Sequence, residues 1–204
     1  MLDFWELAPS PNNTKIRMAL RFKGIEFNAI PVDPRDRTGV IEASRQELTP
    51  VIADRGIVLN DSEAILHYLD ANYPDTPRLW GADRAGRKEC DAWKERIDRE
   101  VASAWLPVFM AQLGMRDGFT PAERQAYEDA LRRLEDELGD RTSFQPDLPV
   151  CDLRVAEWAT YALPGDGLVK RVPLFAKFRE AYGIEPGALP ALERFLEPWN
   201  ERLA

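Results

Sequence analysis

A proline at the entrance of a buried strand constrains this chain more than any other feature. Residues 47–69 read ELTPVIADRGIVLNDSEAILHYL. The apolar pair Val51-Ile52 follows Thr49-Pro50, a turn signal stands at Asp54-Arg55-Gly56, Ile57-Val58-Leu59 makes a second short strand, and Ala64, Ile65, Tyr68 and Leu69 recur at helical spacing. A proline donates no ladder hydrogen bond, so Pro50 belongs at a strand edge or in a bend, and the Thr49–Pro50 bond is one where a cis peptide is tolerated. In either isomer the bend frees the backbone N–H and C=O of Thr49 for another partner.

The helix that follows begins with more polar groups than it needs. Asn60 is expected as its N-cap, with Glu63 reaching back in a variant of the capping box, which leaves Asp61 and Ser62 surplus. Helix-end N–H groups and the Ser62 hydroxyl can hold a carboxylate while Asp61 holds an ammonium, a grip suited to an amino-acid head group. Ser, Asn and Asp are equally the common helix starters, so capping alone is the competing explanation.

Upstream, residues 2–6 with Phe4 and Trp5 predict a first strand, and the breaker cluster Ala8-Pro9-Ser10-Pro11 ends it. Any of Asn12, Asn13 and Thr14 could cap a helix over 15–23, closed by Gly24, and residues 26–32 return as a second strand. Strand, helix and strand with short links make a right-handed βαβ unit with a parallel pair. A polar, basic stretch with a short helix near 40–44 leads into the Pro50 strand, completing an α/β half over 1–75.

Residues 72–83, NYPDTPRLWGAD, lack a sustained period, and a linker is expected over 76–84. Beyond it, residues 85–204 read as all-helical. Trp93, Ile97, Val101 and Trp105 recur every four residues in a long segment over 84–115, with a bend at Pro107. Thr120-Pro121 with Glu123 opens a helix that Gly139 stops, and further helices are expected over 150–161, 170–182 and 189–202.

Composition narrows the chemistry. A net charge of −8 over 204 residues argues against an extended nucleic-acid surface. No apolar run reaches the length of a membrane span and the N-terminus lacks a signal-peptide pattern, so a cytoplasmic location and no membrane partner are expected. Cys90 and Cys151 form no CxxC pair, and two cysteines with the single His67 argue against a metal site.

Ligands of such βαβ units settle at the carboxyl ends of the strands, where helix N-termini also point. That rule places residues 8–14 beside Thr49-Pro50 and Asp61-Ser62, with the Ser10 hydroxyl near the start of the first helix. A thiol bound there needs about 2.7 kcal/mol to lower its pKa by about two units. One charge-assisted hydrogen bond supplies about 1.5–3 kcal/mol and a helix N-terminus about 0.3–1, or up to about 2 when partly buried. One serine and one helix end therefore suffice, although a turn and a cap explain the same residue types.

The motifs LTPVI (48–52) and LNDSEAI (59–65), with APSPNNTKIRMAL (8–20), resemble those of the cytosolic glutathione transferases, over nearly the full chain. The resemblance implies a thioredoxin-like α/β N-terminal domain joined to an all-α C-terminal domain, a homodimer, and glutathione as co-substrate. It implies that Thr49, before a cis Pro50, pairs by backbone with the cysteinyl part of glutathione, and that Asp61 and Ser62 take the γ-glutamyl head. Ser10 falls where serine-type members carry the thiolate-stabilising hydroxyl, and Asn12 where some bacterial members place an Asn near the sulfur. Arg37 is the candidate for the glycyl carboxylate, with Arg35 and Arg45 as rivals. Leu48 stands where many members have a glutamine, and Pro149 where a Ser or Thr usually caps a central helix. The implied activity is attack of the glutathione thiolate on an electrophilic, largely apolar co-substrate, with Trp105, Phe109 and Met110 as lining residues. The alternatives are a glutathione-dependent reductase, peroxidase or ether-cleaving enzyme using the same site, and a non-catalytic binding module of the same fold.

Overall fold

The computed structural model describes residues 1–80 and 84–204, so part of the expected 76–84 linker lies outside the described residues. The chain forms two compact units, Met1–Leu79 and Trp80–Ala204.

In the first unit, β1 (Leu2–Glu6) and β2 (Phe27–Pro31) run parallel and are joined by α1 (Pro11–Phe22). After α2 (Thr38–Ser44), β3 (Val51–Asp54) and β4 (Ile57–Leu59) form an antiparallel hairpin, and the sheet order is β2-β1-β3-β4. Arg55 and Gly56, with φ of 52° and 82°, make the two-residue turn whose twist suits a hairpin. The helix α3 (Ser62–Asn72) packs beside α1. Leu2 and Phe4 share one face of β1, and they are buried together with Ile16 and Leu20 of α1 and Ile65 and Leu69 of α3. This is the expected thioredoxin-like α/β architecture.

Both helix starts near the site differ from the expectation by a residue or more. Pro11 occupies the first position of α1, where its missing N–H costs nothing, so the helix begins at Pro11 and Asn12, Asn13 and Thr14 lie inside it. In α3 the N-cap is Asp61, whose carboxylate accepts from the Ala64 N–H at 2.8 Å. Asn60 lies before the cap, and Glu63 turns to Lys15.

The segment before the second unit is tied back to the first. Lys23, whose side chain is fully buried, donates to Asp70 at 2.7 Å and to the Pro77 carbonyl at 2.8 Å, while Asp70 also accepts from the Leu79 N–H at 2.9 Å.

The second unit is helical among the described residues. Helix α4 (Arg84–Ile97) runs through a π-helical turn at Asp98–Ala102 into α5 (Ser103–Gln112). Then follow α6 (Pro121–Leu138), α7 (Pro149–Ala159), α8 (Asp166–Arg171), α9 (Leu174–Tyr182) and α10 (Pro190–Glu201). The Thr120 capping box and the Gly139 stop of α6 are as expected. Pro173 breaks the helix expected over 170–182 into α8 and α9.

The buried residues Trp93, Ile97, Val101 and Trp105 step by four. At about 100° per residue, each step overshoots an α-helical turn by about 40°, and the wider turn at Asp98–Ala102 takes up part of that drift.

Trp105 and Phe109, expected as walls of a substrate pocket, are core residues at 3% and 7% exposure. Their rings stack at 4.1 Å, and Trp105 meets Trp158 at 4.8 Å and Tyr161 at 5.1 Å, so aromatic packing within this unit accounts for them.

Candidate functional site

The site expected from the sequence is built at the carboxyl end of β1 and the N-termini of α1 and α3. Ser10 is the N-cap residue of α1, yet its hydroxyl makes no cap hydrogen bond. Its backbone does the turning instead: the Ser10 N–H donates to the Leu7 carbonyl at 2.9 Å, and its carbonyl accepts from the Thr14 N–H at 2.9 Å. A half-buried hydroxyl is thereby held at the positive end of a 12-residue helix without being consumed by the helix.

Asn12 projects from the first turn of α1, and its Oδ1 accepts from the Ser62 hydroxyl at 3.2 Å, joining the two helix starts across 50 residues of sequence. The same oxygen accepts from the Lys15 ammonium at 3.1 Å, and Lys15 in turn pairs with Glu63 at 3.1 Å. Asp61, exposed, gives the oxygen Oδ1 to the cap of α3.

The Thr49–Pro50 bond is cis, as is Ala8–Pro9. The ladder between β1 and β3 begins at Val51, which leaves Thr49 outside it. Asn13 fixes this loop: its Oδ1 accepts from the Leu7 N–H at 3.2 Å and its Nδ2 donates to the Thr49 hydroxyl at 3.0 Å. Residue-type reasoning offered Asn13 only as a cap. The available signal was its place in an Asn-Asn pair, which leaves one amide over once the other has been assigned.

Leu48 is exposed at 69%, and Gln46 clamps its backbone, accepting from the Leu48 N–H at 2.6 Å and donating to its carbonyl at 2.9 Å. Arg37, half-buried, stands in the N-cap position of α2 without a side-chain cap bond, while Arg35 and Arg45 are exposed. Among the described residues no hydrogen bond joins any of the three to Ser10, Asn12, Thr49, Asp61 or Ser62. Ser10, Asn12, Thr49, Asp61 and Ser62 are thus gathered by bonds or by shared helix ends, and the arginines are not. Among the described residues no group of three His, Cys, Asp or Glu side chains is placed to hold a metal ion, and no helix is long and apolar enough to cross a membrane.

A thioredoxin-like unit with a cis-proline loop facing two helix N-termini, followed by a helical unit, defines the glutathione transferase fold. Residues 6–77 match the family described as glutathione S-transferase, N-terminal domain. Among relatives, glutathione S-transferase U22 of Arabidopsis thaliana is 26% identical over 149 residues, covering 72% of this chain and 65% of its own. Probable glutathione S-transferase parA of Nicotiana tabacum is 29% identical over 153 residues, covering 72% and 64%. The match therefore spans slightly less than two thirds of either relative's length. Of solved structures, a rice glutathione transferase in complex with glutathione superposes with a TM-score of 0.67 at 22% identity, covering 98% of this chain and 85% of that one. A Tau class glutathione S-transferase from mango, Mangifera indica, superposes at 0.69 with 14% identity, covering 97% and 87%. At these identities the superpositions show the fold.

Proposed function

We propose that this protein is a glutathione transferase whose N-terminal domain binds glutathione and ionises its thiol. The observation that carries the reading is the Ser10 hydroxyl, placed at the N-cap of α1 and making no cap bond. That hydroxyl and the helix end donate to the sulfur, the thiol proton leaves to solvent, and the thiolate attacks an electrophilic carbon of a largely apolar co-substrate. A carbon–sulfur bond forms and the displaced group departs with its electron pair. Asn12 is a second donor, which makes the loop one of the serine/asparagine kind met in bacterial members. Thr49, ahead of Pro50, offers its backbone to the cysteinyl part, Asp61 and Ser62 hold the γ-glutamyl head, and Arg37 balances the glycyl carboxylate.

The family names of the relatives support this reading, as does the glutathione in the rice structure. The domain division proposed with it is 1–75 for glutathione, 76–84 as linker and 85–204 as the helical domain. The protein is proposed to act as a cytoplasmic homodimer.

Calorimetric titration with glutathione tests it. Saturable binding that Asp61→Ala abolishes, with bound-thiolate absorbance that Ser10→Ala removes, is the expected result. A folded wild type that takes up no glutathione sinks the proposal.

A further inference from the structure

The proposed function leaves Lys15 unassigned, although it is the least expected residue at the site. Its side chain is only 3% exposed, yet it carries an ammonium beneath the loop that presents Ser10 and Asn12. Among the oxygens the group reaches are Asn12 Oδ1 and Glu63 Oε1, each at 3.1 Å. An ammonium has three donors and no acceptor, so the Asn12 atom facing it is the carbonyl oxygen. A flipped amide would set N–H dipoles against a cation at hydrogen-bond distance. The Ser62 hydroxyl donates to the same oxygen at 3.2 Å, which holds the amide from a second helix.

Both donors therefore converge on one end of a planar group, and the other end is determined by default. Nδ2 makes no hydrogen bond to any described residue, and Asn12 is exposed. The amide meets a ligand with donor hydrogens alone.

We propose that Lys15 is a positioning residue that locks the Asn12 amide with its oxygen turned inward, so that Nδ2 is presented as a directed donor to the glutathione thiolate. This rests on the glutathione reading given above. The effect runs through Asn12 and not through the field of the ammonium, because Glu63 at 3.1 Å cancels most of that charge at longer range.

Three variants test the lock. In Lys15→Met, the pH midpoint of glutathione thiolate formation, followed by ultraviolet absorbance of the complex, is expected to rise by about one unit, roughly tenfold less thiolate at a fixed pH below the midpoint. Lys15→Arg, which keeps a donor-only cation, is expected to restore most of the shift. Asn12→Asp changes an exposed residue and so spares the core: one carboxylate oxygen keeps Lys15 and Ser62 while the other replaces the Nδ2 donor with negative charge, and the midpoint should rise further than in Asn12→Ala. A readout without glutathione accompanies these, the side-chain amide order of Asn12 by NMR, high in wild type and Lys15→Arg and low in Lys15→Met.

Unchanged amide order in Lys15→Met, or Asn12→Asp and Asn12→Ala giving the same midpoint, overturns the lock. Failure of wild type to bind glutathione overturns the proposed function and the thiolate role with it, while the amide-order measurement still decides whether Lys15 positions Asn12.

Discussion

Asn13 and Thr49, 36 residues apart, are joined side chain to side chain, Nδ2 to Oγ1 at 3.0 Å. Because the other end of the Asn13 amide takes the Leu7 N–H, one buried residue holds the loop after β1 against the cis-proline loop. Replacing it by Ala leaves the Leu7 donor without its partner, and a loss of about 1–3 kcal/mol is expected in urea unfolding. Glutathione affinity should fall in the same variant. An Asn13→Ala protein with wild-type stability and affinity would show that the two loops hold their places unaided.

Asp61 serves the helix and, on the proposed function, the ligand. Asp61→Asn keeps a good cap, so stability should change little, whereas Asp61→Ala should lose about 1 kcal/mol. Glutathione binding should be lost in Asp61→Ala and at least weakened in Asp61→Asn, since both lack the charge that faces the γ-glutamyl ammonium. Full binding by Asp61→Asn rules out that ion pair.

Two tyrosines in the first unit report on alkaline stability. Tyr73 and Tyr68 donate to the Asp54 carboxylate at 2.8 and 2.9 Å. Burial first, and then the bond to Asp54, pushes Tyr73 up to about 12 from 10.0, and Tyr68 is raised for the same reasons. A phenol that ionises later when folded favours the fold while it is neutral. That contribution is whole below about pH 10 and is lost as the pH rises toward about 12. Phenolate absorbance should show the late titration, and Asp54→Asn should move it back toward 10. A Tyr73 that titrates at its ordinary value in wild type would refute the linkage.

In the helical unit, Glu135 of α6 accepts from the Ala191 and Leu192 N–H groups at 2.9 and 2.7 Å, so it caps α10 from another helix. Leu189, the residue in the N-cap position, has no side-chain oxygen to offer. Glu135→Ala is expected to cost about 1–2 kcal/mol, and Glu135→Gln less, in thermal or urea unfolding. Equal stability of all three proteins would show that water can replace the carboxylate.

Cys90 and Cys151 lie in the same unit with sulfurs 3.7 Å apart, both free and buried. Donation of the Cys151 thiol to Cys90, together with burial, pushes Cys151 well up. The same bond lowers Cys90, so burial is what shields it, and a disulfide reagent applied to the native protein should label neither cysteine until the unit opens, with both labelled in denaturant. Rapid native labelling would place one of them at the surface.

The readable parts of this chain are those whose cause is local. Thr120, Pro121 and Glu123 identify the start of α6 because all its capping partners lie within four residues. Pro50 marks the edge of β3 for a similar reason, and the thioredoxin-like half follows from strand and helix periods. Asp61 and Ser62 could be singled out as surplus to a cap, Ser10 by its place at the start of the first helix, and Asn12 only by the resemblance of its loop. The unreadable parts are contacts across long separations. Lys15 reaches Glu63 over 48 residues, and Glu135 reaches the start of α10 over 56. Neither spacing carries a period, so only the packed fold makes these pairs neighbours. The start of α3 misled for another reason: Asn60 and Asp61 are equally good caps by type, and the choice between them rests on the one-residue phase of the helix.

The π turn at Asp98–Ala102 acts as an extra tooth in the α4–α5 run. Every side chain downstream owes its azimuth to that wider winding. Winding the same residues as an ordinary α-helix would carry Trp105 about 80° away from the face of Ile97, whereas with one residue fewer the seven remaining steps of about 100° would return it to that face. The aromatic core of the unit therefore depends on the winding of five residues as firmly as on the identity of any ring in it.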